Sequence, residues 1–386
     1  YNKREDFLPF IFYTETYTMK TFLKLLLLLA VLAGIYFYVF YKTPQQRTFE
    51  KTLASARAGN AQAAFELAGL YASGTGLAAP DGKQAAEWYR KAAADGNMEA
   101  AWQLADLYIQ GTLLPQDLEE ASVYVQLAAR SGNARAQSEL GRFYAEGLGG
   151  LPKNAGEALF WRIKAASGGD EAAQNAVQDV QLEDPQLYEE INRFAGVLER
   201  AEEGNSQAQL EAGQALHMGY PLARNDEEAF RLFTRAWEEG DKLPQAAYEL
   251  SQMYQKGEGT EKNEAKAMEL LGAAAQAKNP DAQYLLGTMA YGANPPKYED
   301  AFAWFSNAAA GGQAQGQYMT GFMLMQGQGT NKSVPMAIDF FRNAAEQNHT
   351  AAQYVLGQIY WKGLGVPVNK KEGEQWLRRA ADAGNE

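Results

Sequence analysis

Small and large apolar residues alternate at helical spacing along most of this chain, and the alternation repeats. The clearest stretch is 352–381, which opens Ala352-Gln-Tyr-Val-Leu356-Gly357-Gln-Ile-Tyr360. Ala352, Leu356, Gly357 and Tyr360 fall on one stripe of an α-helix. A Gly-rich turn follows, Lys362-Gly363-Leu-Gly365-Val-Pro367, and a second helix carries Gly373, Trp376, Ala380 and Ala381. The pattern returns about every 36 residues, which predicts a stack of helical hairpins. Its markers are Asn60, Asn97, Asn133, Asp170, Asn205, Asp241, Asn279, Gln313, His349 and Asn385, giving nine full units and the start of a tenth.

Each first helix (helix A) repeats a small residue, Leu, a second small residue and Tyr. Ala63, Leu67, Ala68, Tyr71 is one copy; Ala100, Leu104, Ala105, Tyr108 and Ala246, Leu250, Ser251, Tyr254 are others. The small residue beside Leu lets a neighbouring helix come close. Gly74, Gly111, Gly147, Gly219, Gly257, Gly327 and Gly363 stand where helix A should end, as residues adopting positive φ do. Helix B repeats a small residue, an aromatic and an alanine pair, as in Ala301-Trp304-Ala308-Ala309. No strand-like alternation is present.

These residues make the chain resemble the Sel-1-like repeat family, relatives of the tetratricopeptide repeats. The units 246–279, 316–345 and 352–381 match its pattern best. The resemblance implies an all-α fold: a right-handed α-solenoid of about nine helical hairpins that scaffolds other proteins. It carries over no catalytic residue. Bacterial members are often found in the cell envelope. The chain departs from the family's cysteine-rich branch by having no Cys. Unit 170–204 departs from the pattern itself: Gln178 and Gln181 replace the small residue and Tyr, and Glu183-Asp184-Pro185 replaces the glycine turn. This unit is expected to be a joint. In unit 279–312, Ala293 replaces the turn glycine.

Ahead of the repeats, Leu25–Tyr41 is an unbroken apolar and aromatic run between Lys24 and Lys42. Counted over 21–41, with Lys24 snorkelling, it spans roughly 30 Å, one bilayer core. Tyr36, Phe37, Tyr38, Phe40 and Tyr41 suit an interfacial belt. A cleaved signal peptide ending at Ala33 is the rival reading, opposed by the apolar residues that continue beyond Gly34. The division expected is a tail at 1–18, a single transmembrane anchor at 19–42, a linker at 43–57 and the solenoid at 58–386. The tail is expected to lie upstream of a start at Met19, and the repeat opened by Ala383-Gly-Asn-Glu386 to be truncated. Flanking positive charge is nearly even. The short leading tail favours an inner-membrane protein with its repeats in the periplasm.

A net charge of −12 argues against a nucleic-acid surface. The Gly-x-Gly turns are not followed by Gly-Lys-Ser/Thr, so they read as turns and not as phosphate cradles. His349 occupies a repeat-junction position, and His217 has no ligand partner at close sequence spacing. No catalytic, cofactor-binding or metal-ligating residue is assigned, and no enzyme is expected. One pattern points to a partner. Phe65, Trp102, Tyr248, Tyr284, Tyr318 and Tyr354 share one register of helix A, which by analogy with tetratricopeptide repeats faces a concave groove. Aromatics there offer area for a protein or peptide; they also serve to pack the repeat. The expected function is a membrane-tethered scaffold binding proteins or peptides in a bacterial envelope. An accessory or regulatory subunit of an envelope enzyme and an endoplasmic-reticulum quality-control adaptor are the alternatives.

Overall fold

The computed structural model describes the backbone of residues 8–40 and 42–384, without the side chains of 8–18, 20 and 37–40. Among the described residues there are α-helices and one π-helical turn, and no strand. The chain forms two compact bodies, one ending at Glu183 and the other beginning at Asp184. The boundary falls inside the divergent unit 170–204.

The first body contains α1 (Leu8–Phe40), α2 (Pro44–Arg57), three hairpins and α9 (Glu171–Glu183). The hairpins are α3/α4 (Ala61–Ser73, Gly82–Ala94), α5/α6 (Met98–Gln110, Leu118–Arg130) and α7/α8 (Ala134–Glu146, Ala155–Ser167). From α2 to α9 each helix packs on the next one in the chain. Leu67, Leu104 and Leu140, the repeated leucines of helix A, are all buried, as are the alanine pairs of α4 and α6.

The second body opens with α10 (Pro185–Glu202) and continues through five hairpins. These are α11/α12 (Ser206–Met218, Asp226–Thr234), α13/α14 (Pro244–Lys256, Glu264–Gln276), α15/α16 (Pro280–Tyr291, Tyr298–Ala310), α17/α18 (Ala314–Gln326, Val334–Glu346) and α19/α20 (Thr350–Lys362, Lys370–Asp382). Here too packing runs from neighbour to neighbour in chain order.

The junction markers are helix N-caps. Asn60, Asn97, Asn133, Asn205 and Asn279 each accept a hydrogen bond from the backbone N–H three residues on. Gln313 and His349 do the same with a different side chain. A cap of this kind satisfies one of the orphan N–H groups of the first turn. At the other end, the seven turn glycines all cap helix A in the left-handed region. Where a turn has a second glycine, that residue has a different job. A Cβ built on Gly259 would lie 2.1 Å from the Asp226 carbonyl oxygen at the start of α12. That turn therefore sits directly on the preceding unit's helix B, where only glycine fits.

A further bond closes many of the junctions. Gln137, Gln209, Gln283, Gln317 and Gln353 are buried one residue after the first small residue of helix A. Each donates its Nε2–H to a carbonyl eight residues back, at the end of the preceding helix B. Buried amides are tolerated because they are bonded.

Three expectations change, and the missing turn glycine after α15, already visible in the sequence, shows its effect. Residues 44–57, within the stretch read as a linker, form α2, capped by Thr43 and packed on α3 through buried Phe49 and Ala56. Phe49 meets Tyr71 edge-on at 5.2 Å. Asp241 is not an N-cap: α12 widens into the π-helical turn Arg235–Glu239, so α13 starts later, with Leu243 at its cap. The Asp241 N–H donates to Ser206 Oγ instead. Helix α15 ends at Gly292 with φ −84°, without a left-handed cap, where the sequence lacks the usual glycine. The membrane helix is not carried by the structure either. α1 runs unbroken from Leu8 through Met19 to Phe40, and its described side chains at 21–36 are exposed. Among the described residues no helix is long and apolar enough to cross a membrane. Residues 1–7 of the expected tail, Tyr41 of the aromatic belt and the junction marker Asn385 lie outside the described residues.

Candidate functional site: the aromatic face of helices A

In the second body, Tyr248, Tyr284, Tyr318 and Tyr354 occupy one register of α13, α15, α17 and α19. The first three are half-buried and Tyr354 is 44% exposed. Two of the half-buried rings lean on helix B of their own unit. Tyr284 lies 5.7 Å from Phe305 and Tyr318 lies 5.7 Å from Phe341, centroid to centroid. Tyr318 also stacks on His349, the N-cap of the next helix A. These tyrosines are thus packing residues with one edge left at the surface. In the first body Phe65 and Trp102 are half-buried at the same register, and Phe65 contacts Tyr89 at 5.8 Å.

Sequence reasoning missed Trp361. It lies seven residues after Tyr354, on the same stripe of α19, and is 41% exposed with Lys370 Nζ over its ring at 5.6 Å. The exposed Leu364 and Val368 follow in the turn. The spacing of aromatics one turn-pair apart on helix A was the available signal.

A second cluster gathers residues that look unrelated in sequence. His217 Nδ1 is 2.7 Å from Asp226 Oδ1, and its Nε2 is 3.9 Å from Glu258 Oε2. No ligand partner stands beside His217 at close sequence spacing; the turn after α11 folds back to bring Asp226, and the next unit's turn brings Glu258. Arg224 bridges both acids at 2.9 and 2.8 Å. Burial pushes the Asp226 carboxyl up, but hydrogen bonds from Arg224 and His217 outweigh it and hold the group below its ordinary range. The Arg224 hydrogen bond likewise lowers Glu258. An open cleft of about 570 Å³ lies beside it, lined in part by Arg224, Asp226, Gly259 and Glu261. The charges compensate one another across a unit junction, which makes this an ion-pair lock. Among the described residues no group of three or more His, Asp or Glu is placed to hold a metal ion.

His349, expected to be structural, is so: its Nδ1 accepts from the Ala352 N–H at 3.1 Å. Burial depresses its pKa below the ordinary histidine value.

Stacked helical hairpins with glycine-capped first helices define a repeat protein. Eight segments match the Sel1 repeat, at residues 61–97, 99–133, 134–170, 206–241, 244–279, 280–313, 314–349 and 350–385, and the chain belongs to the Sel1 repeat family. The gap between the third and fourth matches is the divergent unit. The chain is 28% identical over 279 residues to an uncharacterized protein of Neisseria meningitidis serogroup B, covering 70% of this chain and 55% of that protein. It thus spans about half the length of the curated relative it matches. Among solved structures it is similar to a Sel1 repeat protein from Oxalobacter formigenes, at 29% identity over 87% of each chain with a TM-score of 0.45. It is also similar to a protective antigen present in uropathogenic Escherichia coli strains, at 28% identity over 92% of this chain and 76% of that one, with a TM-score of 0.44. Sel1 repeat proteins generally mediate protein–protein interaction, and the family is generally non-enzymatic.

Proposed function

We propose that this chain is a membrane-tethered scaffold that holds a protein or peptide segment along its helix-A faces in a bacterial cell envelope. The observation that carries the reading is the partly exposed aromatic row Tyr248, Tyr284, Tyr318, Tyr354, with Trp361 on the same stripe as its last member. Rigid aromatics with a polar edge give contact area at small entropic cost. Phe65 and Trp102 would do the same in the first body. The tether rests on the apolar run Leu25–Tyr41 between Lys24 and Lys42, and the repeats are proposed to lie on the periplasmic side of the inner membrane.

A photo-crosslinking residue placed at Tyr354 tests it, with Glu374 on α20 as the control position. Adducts in cells from Tyr354 and not from Glu374 are expected. Equal labelling from both positions, or none from Tyr354, would remove the helix-A face as the binding surface.

A further inference from the structure

The first body carries a cation that its surroundings hold without neutralising. Arg90, on α4, donates from Nε to the Tyr124 hydroxyl on α6 and from Nη2 to the Tyr108 hydroxyl on α5, each at 3.0 Å. A guanidinium has five N–H groups and no acceptor. Two are used here, so three remain, two on Nη1 and one on Nη2. The hydroxyls have a surplus of the same kind. Each accepts from Arg90, and its own proton meets no acceptor among the described residues. The cluster is therefore made of donors alone, and Arg90 is exposed. Lys91 adds a second cation, its Nζ lying 5.1 Å over the Trp88 ring. Among the described residues neither Arg90 nor Lys91 pairs with a carboxylate.

Four other arginines held by hydrogen bonds are held by carboxylates. Arg142 donates to Glu139 and Glu146, Arg224 to Asp226 and Glu258, Arg231 to Glu228 and Arg378 to Glu374. The second body supplies a direct comparison. Arg342 has the same place in α18, counted from the N-cap, as Arg90 has in α4. It too donates to the tyrosine 18 residues on, Tyr360, at 2.5 Å. There Trp376 stands in the place of Tyr124, and Asp339 on the same helix pairs with the guanidinium at 3.3 Å. Glu87 has the Asp339 position in α4, but it accepts from Gln84 Nε2 at 2.9 Å instead. One scaffold position thus holds a neutralised arginine in the second body and an unneutralised one in the first.

We propose that this cluster is a binding site for an acidic segment of a partner protein: an Asp or Glu side chain pairs with the remaining N–H groups of Arg90, beside the hydroxyls of Tyr108 and Tyr124. Adjacent N–H groups of a guanidinium match the two oxygens of a carboxylate. A guanidinium already oriented by two hydroxyls of the next unit loses little freedom on pairing. The half-buried rings of Trp88, Tyr108 and Tyr124 give the flanking residues apolar area. The chain's net charge of −12 is distributed along its length. Charges beyond about 8 Å are screened at physiological salt, so Arg90 and Lys91 set the local sign. The site belongs to the first body and does not rest on the aromatic row of the second.

The test uses phage-displayed peptides of about nine residues, a length that spans about 30 Å, selected on the full chain and on an Arg90→Gln variant. Arg90 is exposed, so this substitution leaves the buried core alone. An acidic residue at a fixed position should be enriched on the unmodified chain. Those peptides should bind the variant about tenfold or more weakly, and should lose affinity when the acid is replaced by its amide or when salt is added. Tyr108→Phe/Tyr124→Phe keeps both rings, removes both hydroxyls and should weaken the same peptides severalfold. If the cluster only packs the junction, Arg90→Gln lowers the melting temperature and leaves affinity per folded molecule unchanged, which overturns the proposal. Peptides selected without acidic residues, an empty selection, or tighter binding once the acid is replaced by phosphoserine also overturn it. The helix-A reading stands or falls separately, on the crosslinker at Tyr354.

Discussion

The ring of Tyr318 stacks on the imidazole of His349, with centroids 4.9 Å apart and planes 22° from parallel. One residue belongs to the aromatic row and the other caps the next helix A, so row and junction share a contact.

That contact is pH-sensitive. His349 Nδ1 accepts from the Ala352 N–H and must be unprotonated to do so. Burial lowers its folded-state pKa below the ordinary 6.5. The unfolded chain then takes up a proton at higher pH than the folded one. The stabilisation is fully present above about 6.5 and is lost as pH falls from there towards the depressed value. An imidazolium over Tyr318 gains some cation–π attraction, ~0.5–1 kcal/mol, but loses the cap, ~1 kcal/mol, and pays for burying its charge. His349→Asn keeps an acceptor and removes the titration. Melting temperatures of both proteins at pH 7.5 and 5.5 should show a steeper acid loss for the unmodified chain; parallel losses would refute the assignment.

The two glycines of one turn should differ. Gly257 has φ +75° but ordinary space around a Cβ, whereas Gly259 combines φ +66° with the Asp226 carbonyl at 2.1 Å. Gly257→Ala is expected to cost about 1 kcal/mol, and Gly259→Ala about 2–4 kcal/mol because backbone must move. Since neighbours couple mainly to neighbours, hydrogen exchange should show the loss within 205–312. A larger cost at Gly257 would contradict the packing role given to the second glycine.

Tyrosines of the row should separate by burial. Tyr318→Ala removes contacts with Phe341 and His349 and should destabilise by ~1–3 kcal/mol. Tyr354→Ala, at 44% exposure, should cost under ~1 kcal/mol. Its effect should appear in partner affinity, at more than ~1 kcal/mol if it is an anchor. Chemical denaturation and affinity measured on the same samples distinguish the roles. An unchanged affinity for Tyr354→Ala would return the residue to packing alone.

Proteolysis should begin between Gln178 and Glu190. In α9 only Ala173 is buried, and the boundary between the bodies lies at Glu183–Asp184. Brief protease treatment followed by mass spectrometry should give two fragments meeting there. First cuts inside an intact hairpin would be unexpected.

Topology is open to a direct test. A reporter active only outside the cytoplasm, fused after Lys51, should be active and sediment with membranes. Activity in the soluble fraction would mean a cleaved leader, and inactivity would reverse the orientation.

Much of the repeat was legible because its signals are local. The glycine caps and the Leu–small–Tyr stripe each lie within one helix, and spacing alone identifies them. Junction markers were visible as a period, but their capping role needed the backbone. The buried glutamines were missed because Gln reads as surface, and because Ala64 and Ala101 hold that place in the first two units. Helix α2 was missed because it lies outside the repeat and buries only Phe49 and Ala56. The π-helical turn after α12 slips the register by an amount no periodic template anticipates.

Where a glutamine closes a junction, it needs only two things: its own place near the start of helix A and a carbonyl eight residues earlier. Gln209, Gln283, Gln317 and Gln353 find that carbonyl on Ala201, Ala275, Ala309 and Ala345, always an alanine and always at the end of a helix B. The connector is therefore generic. A unit that has the glutamine and the alanine carbonyl, copied in frame at about 36 codons, arrives with both halves of its connector and can be spliced between others that carry the same pair. Genes built from such parts are free to change length by whole repeats, and the surface offered to partners can grow or shrink in steps without redesigning a single interface.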